Sequence, residues 1–477
     1  MNFRMTFYIL GILLAFEGAF LLVPTITALI YGEETVWLFV GLAALCMLAG
    51  WLIAKKKPQN KTLYAKDGFV IVALCWILMS LVGALPLCFS GSIPNFINAL
   101  FESVSGFTTT GASILHDLDC LPKSILMWRS FIHWIGGMGV LVFIMAFLPM
   151  AGGQNMYLMK AESPGPSVSK LVPRVKSTAK LLYLIYLVLT AAEMFLLIIG
   201  GMPLFDAINI SFATAGTGGF GISNAGMMAY SPYCIVIVTI FMVLFGINFT
   251  SYFLILHGKL KDAFNTEVRV FLLIVAGAIV AVTINVRHMF ETLSETLMHT
   301  SFTVSSLVSS TGFATADFDQ WPTFSKTILV MLMFVGACAG STGGGIKVSR
   351  VILLFKNMHS EFRVMTHPKQ IKKVKLDGHP VDAEVMRLVH VYFACFIMVY
   401  AVSMFILSFD GLDLTTNFTA VVATLDNIGP GLSKVGPMSN FDVYSPLSKC
   451  VLIFDMLAGR LELFPMLLML SPATWKK

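Results

Sequence analysis

Phe101-Glu102-Ser103-Val104-Ser105-Gly106-Phe107-Thr108-Thr109-Thr110-Gly111 runs from a short apolar segment straight into a Thr/Gly cluster. Three further clusters of similar build follow: Thr217-Gly218-Gly219, Ser310-Thr311-Gly312 and Asn427-Ile428-Gly429. Gly holds the third position in all four. The short segments that lead into them lie at about 94–108, 203–215, 292–309 and 413–425. A spanning helix needs about 20 apolar residues, so these segments are too short to cross a bilayer comfortably and read as re-entrant. Irregular backbone at membrane depth is tolerated only where protein buries it or where it lines a watery cavity. Any one cluster alone reads as a turn between helices. Four in the same context imply one pore.

Working outward, each cluster sits between two long apolar helices, and basic linkers separate the resulting units. The expected architecture is an all-α polytopic membrane protein. It has four pseudo-fourfold helix–pore-helix–filter–helix repeats after an N-terminal helix pair, with about ten spanning helices and four re-entrant ones. The expected division is 1–60 for the pair, then 61–150, 151–260, 261–375 and 376–477 for the repeats. Of the 477 residues 57% are hydrophobic and only 12% charged. That is about half the charge of a soluble domain, which excludes a soluble enzyme or nucleic-acid binder. The first apolar run, from Phe7, follows only Arg4 and has no small-residue cleavage site before Tyr31. It reads as a retained span.

Of 32 Lys and Arg residues, 25 fall on one side of this topology. They include Lys55, Lys56, Lys57, Lys61 and Lys66; Lys160, Lys170, Arg174, Lys176 and Lys180; Lys259, Lys261 and Arg269; and nine between Lys347 and Arg387. The positive-inside rule makes that side, and both termini, cytoplasmic. The opposite loops carry Glu33, Glu34, Asp117, Asp119, Asp317, Asp319 and Asp442, which would raise the local cation concentration modestly. The eight Cys are scattered without ligand spacing, so neither a structural metal site nor a disulfide framework is expected.

A K⁺ ion must exchange its water shell for a ring of oxygens, and backbone carbonyls provide one without a fixed charge that would hold the ion too tightly. Gly lets carbonyls line a narrow axis, because no Cβ crowds it and unusual dihedrals are open. Neighbouring Thr, Ser and Asn can add oxygens. The candidate filter is therefore Thr109, Thr110, Gly111, Thr217, Gly218, Gly219, Ser310, Thr311, Gly312, Asn427, Ile428 and Gly429, with K⁺ as the only metal. A candidate gate lies below it. Gly340, Ser341, Thr342, Gly343, Gly344 and Gly345 break the second helix of the third repeat. Arg460 is expected midway along the second helix of the fourth repeat, too deep to reach water easily. Gly340–Lys347 is glycine-rich like a phosphate loop, but Ile346 precedes the Lys and Val348 stands where Ser or Thr is needed. Glu102, in the first short helix, reads as a structural hydrogen-bond acceptor, with a field-tuning charge as the alternative.

These residues resemble the Trk/Ktr/HKT superfamily of K⁺ transporters, most closely its bacterial TrkH/TrkG branch. The likeness covers nearly the whole chain and is most specific at 101–111, Trp134–Gly139, Gly340–Lys347 and Gly459–Glu462. It implies a transport protein and not an enzyme, in a bacterial inner membrane, built as a homodimer. It also implies a separate TrkA-like cytoplasmic nucleotide-binding ring, since this chain shows no βαβ pattern. No prosthetic group is implied. Passive conduction and H⁺-coupled symport both remain open.

Overall fold

The computed structural model describes residues 2–59, 63–139, 175–367 and 374–475. The N-terminal pair is Phe3–Phe20 continued by Leu22–Tyr31, then Thr35–Ala54. Four units of like build follow. Each opens with a long apolar helix: Ala65–Phe89, Val175–Ile199, Thr266–Val286 and Ala383–Leu407. Each continues into a short pore helix: Phe96–Phe107, Leu204–Ala215, Leu293–Val308 and Leu414–Leu425. These four fall within the ranges expected from the sequence. Three of them start where a side-chain oxygen satisfies the free backbone N–H groups: Asn95, Thr292 and Asp413.

Each unit then returns through a third helix that begins at a proline, either as the cap (Pro122, Pro322) or inside the first turn (Pro232, Pro446). Proline suits that place, because its missing N–H would have no intrahelical partner there. Among the described residues, six helices are long and apolar enough to cross a membrane, or seven if the bent pair Pro232–Gly246 and Phe249–Leu256 counts as one span. The other return helices are short or interrupted, and that of the first repeat, Lys123–Met138, ends at the edge of the described residues. Among the described residues the regular structure is helical apart from one antiparallel pair, Lys375–Leu376 with His379–Pro380, on the expected cytoplasmic side.

The core closes in a circle. One buried cluster joins the N-terminal pair, the first repeat and the fourth, through Phe39, Trp76, Phe107 and Leu452. A second joins the third repeat to the fourth, through Phe271, Leu307 and Ile428. A third joins the first and second repeats to the third, through Leu126, Ile210 and Phe302. Large apolar side chains such as Trp37, Ile284 and Phe405 are exposed on the outside. A soluble monomer rarely leaves so much apolar surface open, whereas a bilayer requires it.

Three expectations need correction. The return helix of the second repeat is not continuous but bends by 92° at Ile247–Asn248. Asn248 caps the new segment, and the Phe249 N–H donates to Gly340 O of the third repeat at 3.0 Å. Arg460 is not midway along a helix but is the last residue of Pro446–Arg460. Pro465, in the first turn of Phe464–Leu470, has no N–H and cannot continue the preceding helix. Lys347 and Arg350 are not in a basic loop but buried, Lys347 just before and Arg350 within the first turn of Val348–Thr366. Lys180, Lys259, Lys261, Arg363, Lys375 and Arg387 are exposed as expected. Lys61, Lys160, Lys170, Arg174, Lys369, Lys372, Lys373, Lys476 and Lys477 lie outside the described residues, as does the end expected for the first return helix at 140–150.

Candidate ion pathway and gating loop

The four pore helices end in the same way. The first cluster residue has a left-handed backbone: φ is +56° at Thr109, +55° at Thr217, +59° at Ser310 and +52° at Asn427. None of these is Gly, so each carries strain that the local structure must hold. The next residue donates its N–H back to the helix in every copy, at 2.8–2.9 Å. These bonds run from Thr110 to Ser105 O, Gly218 to Ala213 O, Thr311 to Ser306 O and Ile428 to Ala423 O. The Gly that follows has φ of +80°, +72°, +84° and +103° at Gly111, Gly219, Gly312 and Gly429.

The four glycines form a closed ring. A Cβ at Gly111 would lie 2.0 Å from the Gly218 carbonyl oxygen, and one at Gly219 would lie 2.0 Å from that of Thr311. One at Gly312 would lie 2.2 Å from Ile428 O, and one at Gly429 would lie 2.8 Å from Thr110 O. Each repeat thus abuts the middle carbonyl of the next, and the fourth returns to the first. No other residue type fits these seams without moving backbone.

Some polar side chains of the clusters bond polar neighbours, while Thr217 donates to Gly216 O and Ser310 accepts from the Gly344 N–H. Thr108 and Thr110 hydroxyls meet at 2.8 Å, and those of Ser309 and Thr311 at 2.7 Å. The Asn427 amide donates to Thr110 Oγ1 and to Met456 O, both at 2.9 Å, and so stitches the seam between the fourth and first repeats.

Above the ring lies a cavity of about 250 Å³ lined by all four glycines, His116 and Arg129. Arg129 and Glu102 are both buried. The guanidinium donates to the carboxylate from Nε at 2.9 Å and from Nη2 at 2.7 Å. Glu102 also accepts from the Ser113 hydroxyl and the Ile114 N–H, while Arg129 reaches Gly221 O and packs over Phe220. This pair braces the strand leaving the first cluster against that leaving the second. Glu102 is thus a hydrogen-bond acceptor for Arg129, Ser113 and Ile114, as the structural reading of the sequence expected; its effect on the field at the ring is a separate matter.

The outer acids are largely engaged. Glu33 accepts from the Lys123 and Ser124 N–H groups, and Asp117 from Asn224. Asp442 accepts from Lys449 at 2.6 Å, and that bond together with His116 holds its carboxyl below the usual range.

Below the ring, Thr323–Val335 ends and Val348–Thr366 begins, with a loop between. The break starts at Gly336, four residues before the expected Gly340. Gly336 has φ +66°, and a Cβ there would lie 2.8 Å from Gly344 O. Glu267 accepts from the N–H groups of Ala339 and Ser349, so it holds both ends of the loop. Cys338 N–H donates to Gly246 O, which seats the loop in the bend of the second repeat. Gly344 N–H donates to Ser310 Oγ, and the loop packs so closely that a Cβ on Gly344 would lie 2.4 Å from Asp426 O. The loop is thus pressed against the underside of the third and fourth clusters.

Three cations fix this layer. Lys347 donates to the Gly343 and Gly344 carbonyls. Arg350 pairs with Glu462 and lies over Tyr392. Arg460 donates to Thr342 O at 2.9 Å, to Gly137 O at 2.7 Å and to Gly136 O. It therefore ties the loop to the first repeat. Sequence reasoning reached Arg460 and the Gly run but not Lys347, Glu267 or Asn248. A buried Lys at a left-handed position, φ +81°, carries no local pattern that announces it.

A circle of four re-entrant hairpins within a lipid-facing shell defines a multi-pass membrane protein built for passage of a small solute. The chain belongs to the TrkH family of cation transport proteins, whose model matches residues 37–477. It is accordingly a transport protein and not an enzyme. It is 38% identical over 490 residues to the Trk system potassium uptake protein TrkH of Salmonella typhimurium, covering all of both chains. It is 34% identical to TrkG of Escherichia coli, covering 99% of each. It also matches the crystal structure of the potassium transporter TrkH from Vibrio parahaemolyticus over the full length of both chains, with a TM-score of 0.89 and 33% identity.

Proposed function

We propose that this chain is the K⁺-selective conducting subunit of a Trk-type potassium uptake system. The observation that carries the reading is the closed ring Gly111–Gly219–Gly312–Gly429, in which each seam admits no side chain. Alternation of left- and right-handed residues turns successive peptide groups to one side, which suits a carbonyl-lined axis. The four pore-helix C-termini add negative potential on the cytoplasmic side. Thr109, Thr110, Thr217, Gly218, Ser310, Thr311, Asn427 and Ile428 complete the filter, with side chains acting mainly to hold backbone. K⁺ is the transported ligand and no prosthetic group takes part.

Below the filter, the loop containing Gly340, Ser341, Thr342, Gly343, Gly344 and Gly345, together with Arg460, forms the gate. The loop fills the path, and the guanidinium repels cations while clamping Thr342. A TrkA-like nucleotide-binding ring on the cytoplasmic side, docked on the surface around 356–387, would open it by drawing Val348–Thr366 outward. The charge distribution supports residence in the bacterial inner membrane with cytoplasmic termini, and a homodimer is the assembly this reading adopts. The domain division 1–60, 61–150, 151–260, 261–375 and 376–477 belongs to the same reading. The relatives named for potassium uptake support it.

The test is ⁸⁶Rb⁺ uptake into proteoliposomes holding the purified protein, with K⁺, Na⁺ and Li⁺ as competitors. K⁺ should compete strongly and Na⁺ and Li⁺ weakly. Equal competition by all three would overturn the reading. Charge reversal of Lys372, Lys373 and Lys375 should weaken co-purification of the ring; full retention would move docking elsewhere.

A further inference from the structure

Asp426 closes the fourth pore helix and stands directly before Asn427. Its counterparts in the other repeats are Thr108, Gly216 and Ser309. In the first and third repeats, the hydroxyl at this position bonds the hydroxyl two residues on. In the fourth repeat that second residue is Ile428, which has no polar side chain. Both carboxylate oxygens of Asp426 are fully buried and, among the described residues, meet no hydrogen-bond donor.

Some buried acids of the repeats are matched, Glu102 by Arg129, Glu462 by Arg350 and Glu267 by two backbone N–H groups, whereas Asp455 keeps one oxygen and Glu193 both without a donor among the described residues. Asp426 is set apart from these by standing next to Asn427 of the fourth cluster. Asp426 also sits at a helix C-terminus, whose free carbonyls already carry negative potential. Burial, the helix end and the absence of a donor all oppose a carboxylate here. Only positive charge favours it. Lys347 interacts with it electrostatically, but its ammonium donates its hydrogen bonds to loop carbonyls. Tyr392 and Tyr400, from the helix Ala383–Leu407, are the other titratable groups that sense it. The remaining source of positive charge is a cation in the proposed filter, which begins one residue away at Asn427.

We propose that Asp426 is a K⁺-affinity determinant of the filter, acting from behind the fourth segment as a carboxylate that is charged while a cation occupies the filter. The inference rests on the filter reading above. A charge set behind the carbonyls deepens the site without ligating the ion, so the ion still leaves. The three uncharged counterparts make this an asymmetric element in an otherwise fourfold ring.

The experiment is the KM and Vmax of Rb⁺ uptake in proteoliposomes. Asp426→Asn keeps the shape, and Asp426→Ser reproduces the third repeat. Both should raise KM by about tenfold with Vmax held or raised, because a full charge acts strongly at low permittivity. Lys347→Met removes the opposing charge and should lower KM. A KM within about twofold of wild type in folded Asp426 variants would overturn the proposal. If those variants fail to fold, an unchanged KM in Lys347→Met would do so, and a lowered one would support it. Gly219→Ala separates the two readings. Selectivity lost there with KM unmoved in Asp426→Asn removes only the present proposal, whereas selectivity kept there removes the filter itself.

Discussion

The ring of glycines and the layer beneath it use the same four repeats in opposite ways. In the ring, all four copies share one backbone conformation and one set of hydrogen bonds, and each touches the next through the same contact. In the layer below, the copies diverge. The second repeat bends by 92°, the third opens into a loop from Gly336, and the fourth stops at Arg460. These irregular parts interlock: the loop sits in the bend, and Arg460 holds the loop to the first repeat. Coordination of a bare ion needs oxygens from all sides, so the proposed filter falls where symmetry is retained. Closing a path needs one element to cross it, so the proposed gate falls where symmetry is given up.

The comparison is broken most severely by unseating the brace above the ring. Glu102→Gln leaves the Arg129 guanidinium buried without its counter-charge. Removing one partner of a buried pair costs about 3–5 kcal/mol. Thermal unfolding of the detergent-solubilised protein should show a large drop in stability, and a shift no greater than that of a surface substitution would contradict the brace.

Next come the glycines. Overpacking costs about 1–3 kcal/mol, and the seams rank the effect. Gly111→Ala and Gly219→Ala, at 2.0 Å, should lose the most K⁺ preference over Na⁺, Gly312→Ala slightly less, and Gly429→Ala, at 2.8 Å, the least. Competition uptake measures the order. The same 2.0 Å contact means that Gly111→Ser also disturbs the fold, because its Cβ meets backbone.

In the lower layer, Arg460→Ala should raise Rb⁺ flux in the absence of any partner by about tenfold, equivalent to about 1.4 kcal/mol. Flux at or below wild type from a folded variant would contradict the gate.

The smallest effect lies outside both layers. The Asp442 carboxyl is held below its ordinary range by Lys449 and His116. A lowered folded value means that the stabilisation is present above about pH 4 and lost as pH falls further. Because Asp442 is partly exposed, it amounts to about 0.5 kcal/mol or less. Asp442→Asn should flatten that acid limb in a melting series, and an unchanged limb would exclude the residue.

What the sequence made legible follows the same division. The ring was readable because it depends on local pattern: a short helix, a polar residue, then Gly, four times. Repetition turned a weak signal into a strong one. The lower layer was readable only where composition is extreme, as in the Gly run and Arg460. Its real extent depends on contacts distant in sequence, such as Glu267 with Ala339, Gly246 with Cys338 and Arg350 with Glu462. No periodicity encodes these contacts. The misplacement of Arg460 had a local cause, since Pro465 was present in the sequence and forbids an unbroken helix there. From sequence alone Lys347 and Arg350 read as loop charges, because a Lys and an Arg beside a basic stretch usually are. Only the fold shows them buried against loop carbonyls and Glu462.

The most direct test of the division is the reversal potential under bi-ionic K⁺/Na⁺ conditions, recorded for wild type, Gly219→Ala and Arg460→Ala in the same bilayer preparation. If the ring selects and the lower layer only obstructs, wild type reverses near the K⁺ potential. Arg460→Ala then carries more current with the same reversal, and Gly219→Ala reverses closer to the Na⁺ potential. A reversal moved by Arg460→Ala and left in place by Gly219→Ala would contradict the account.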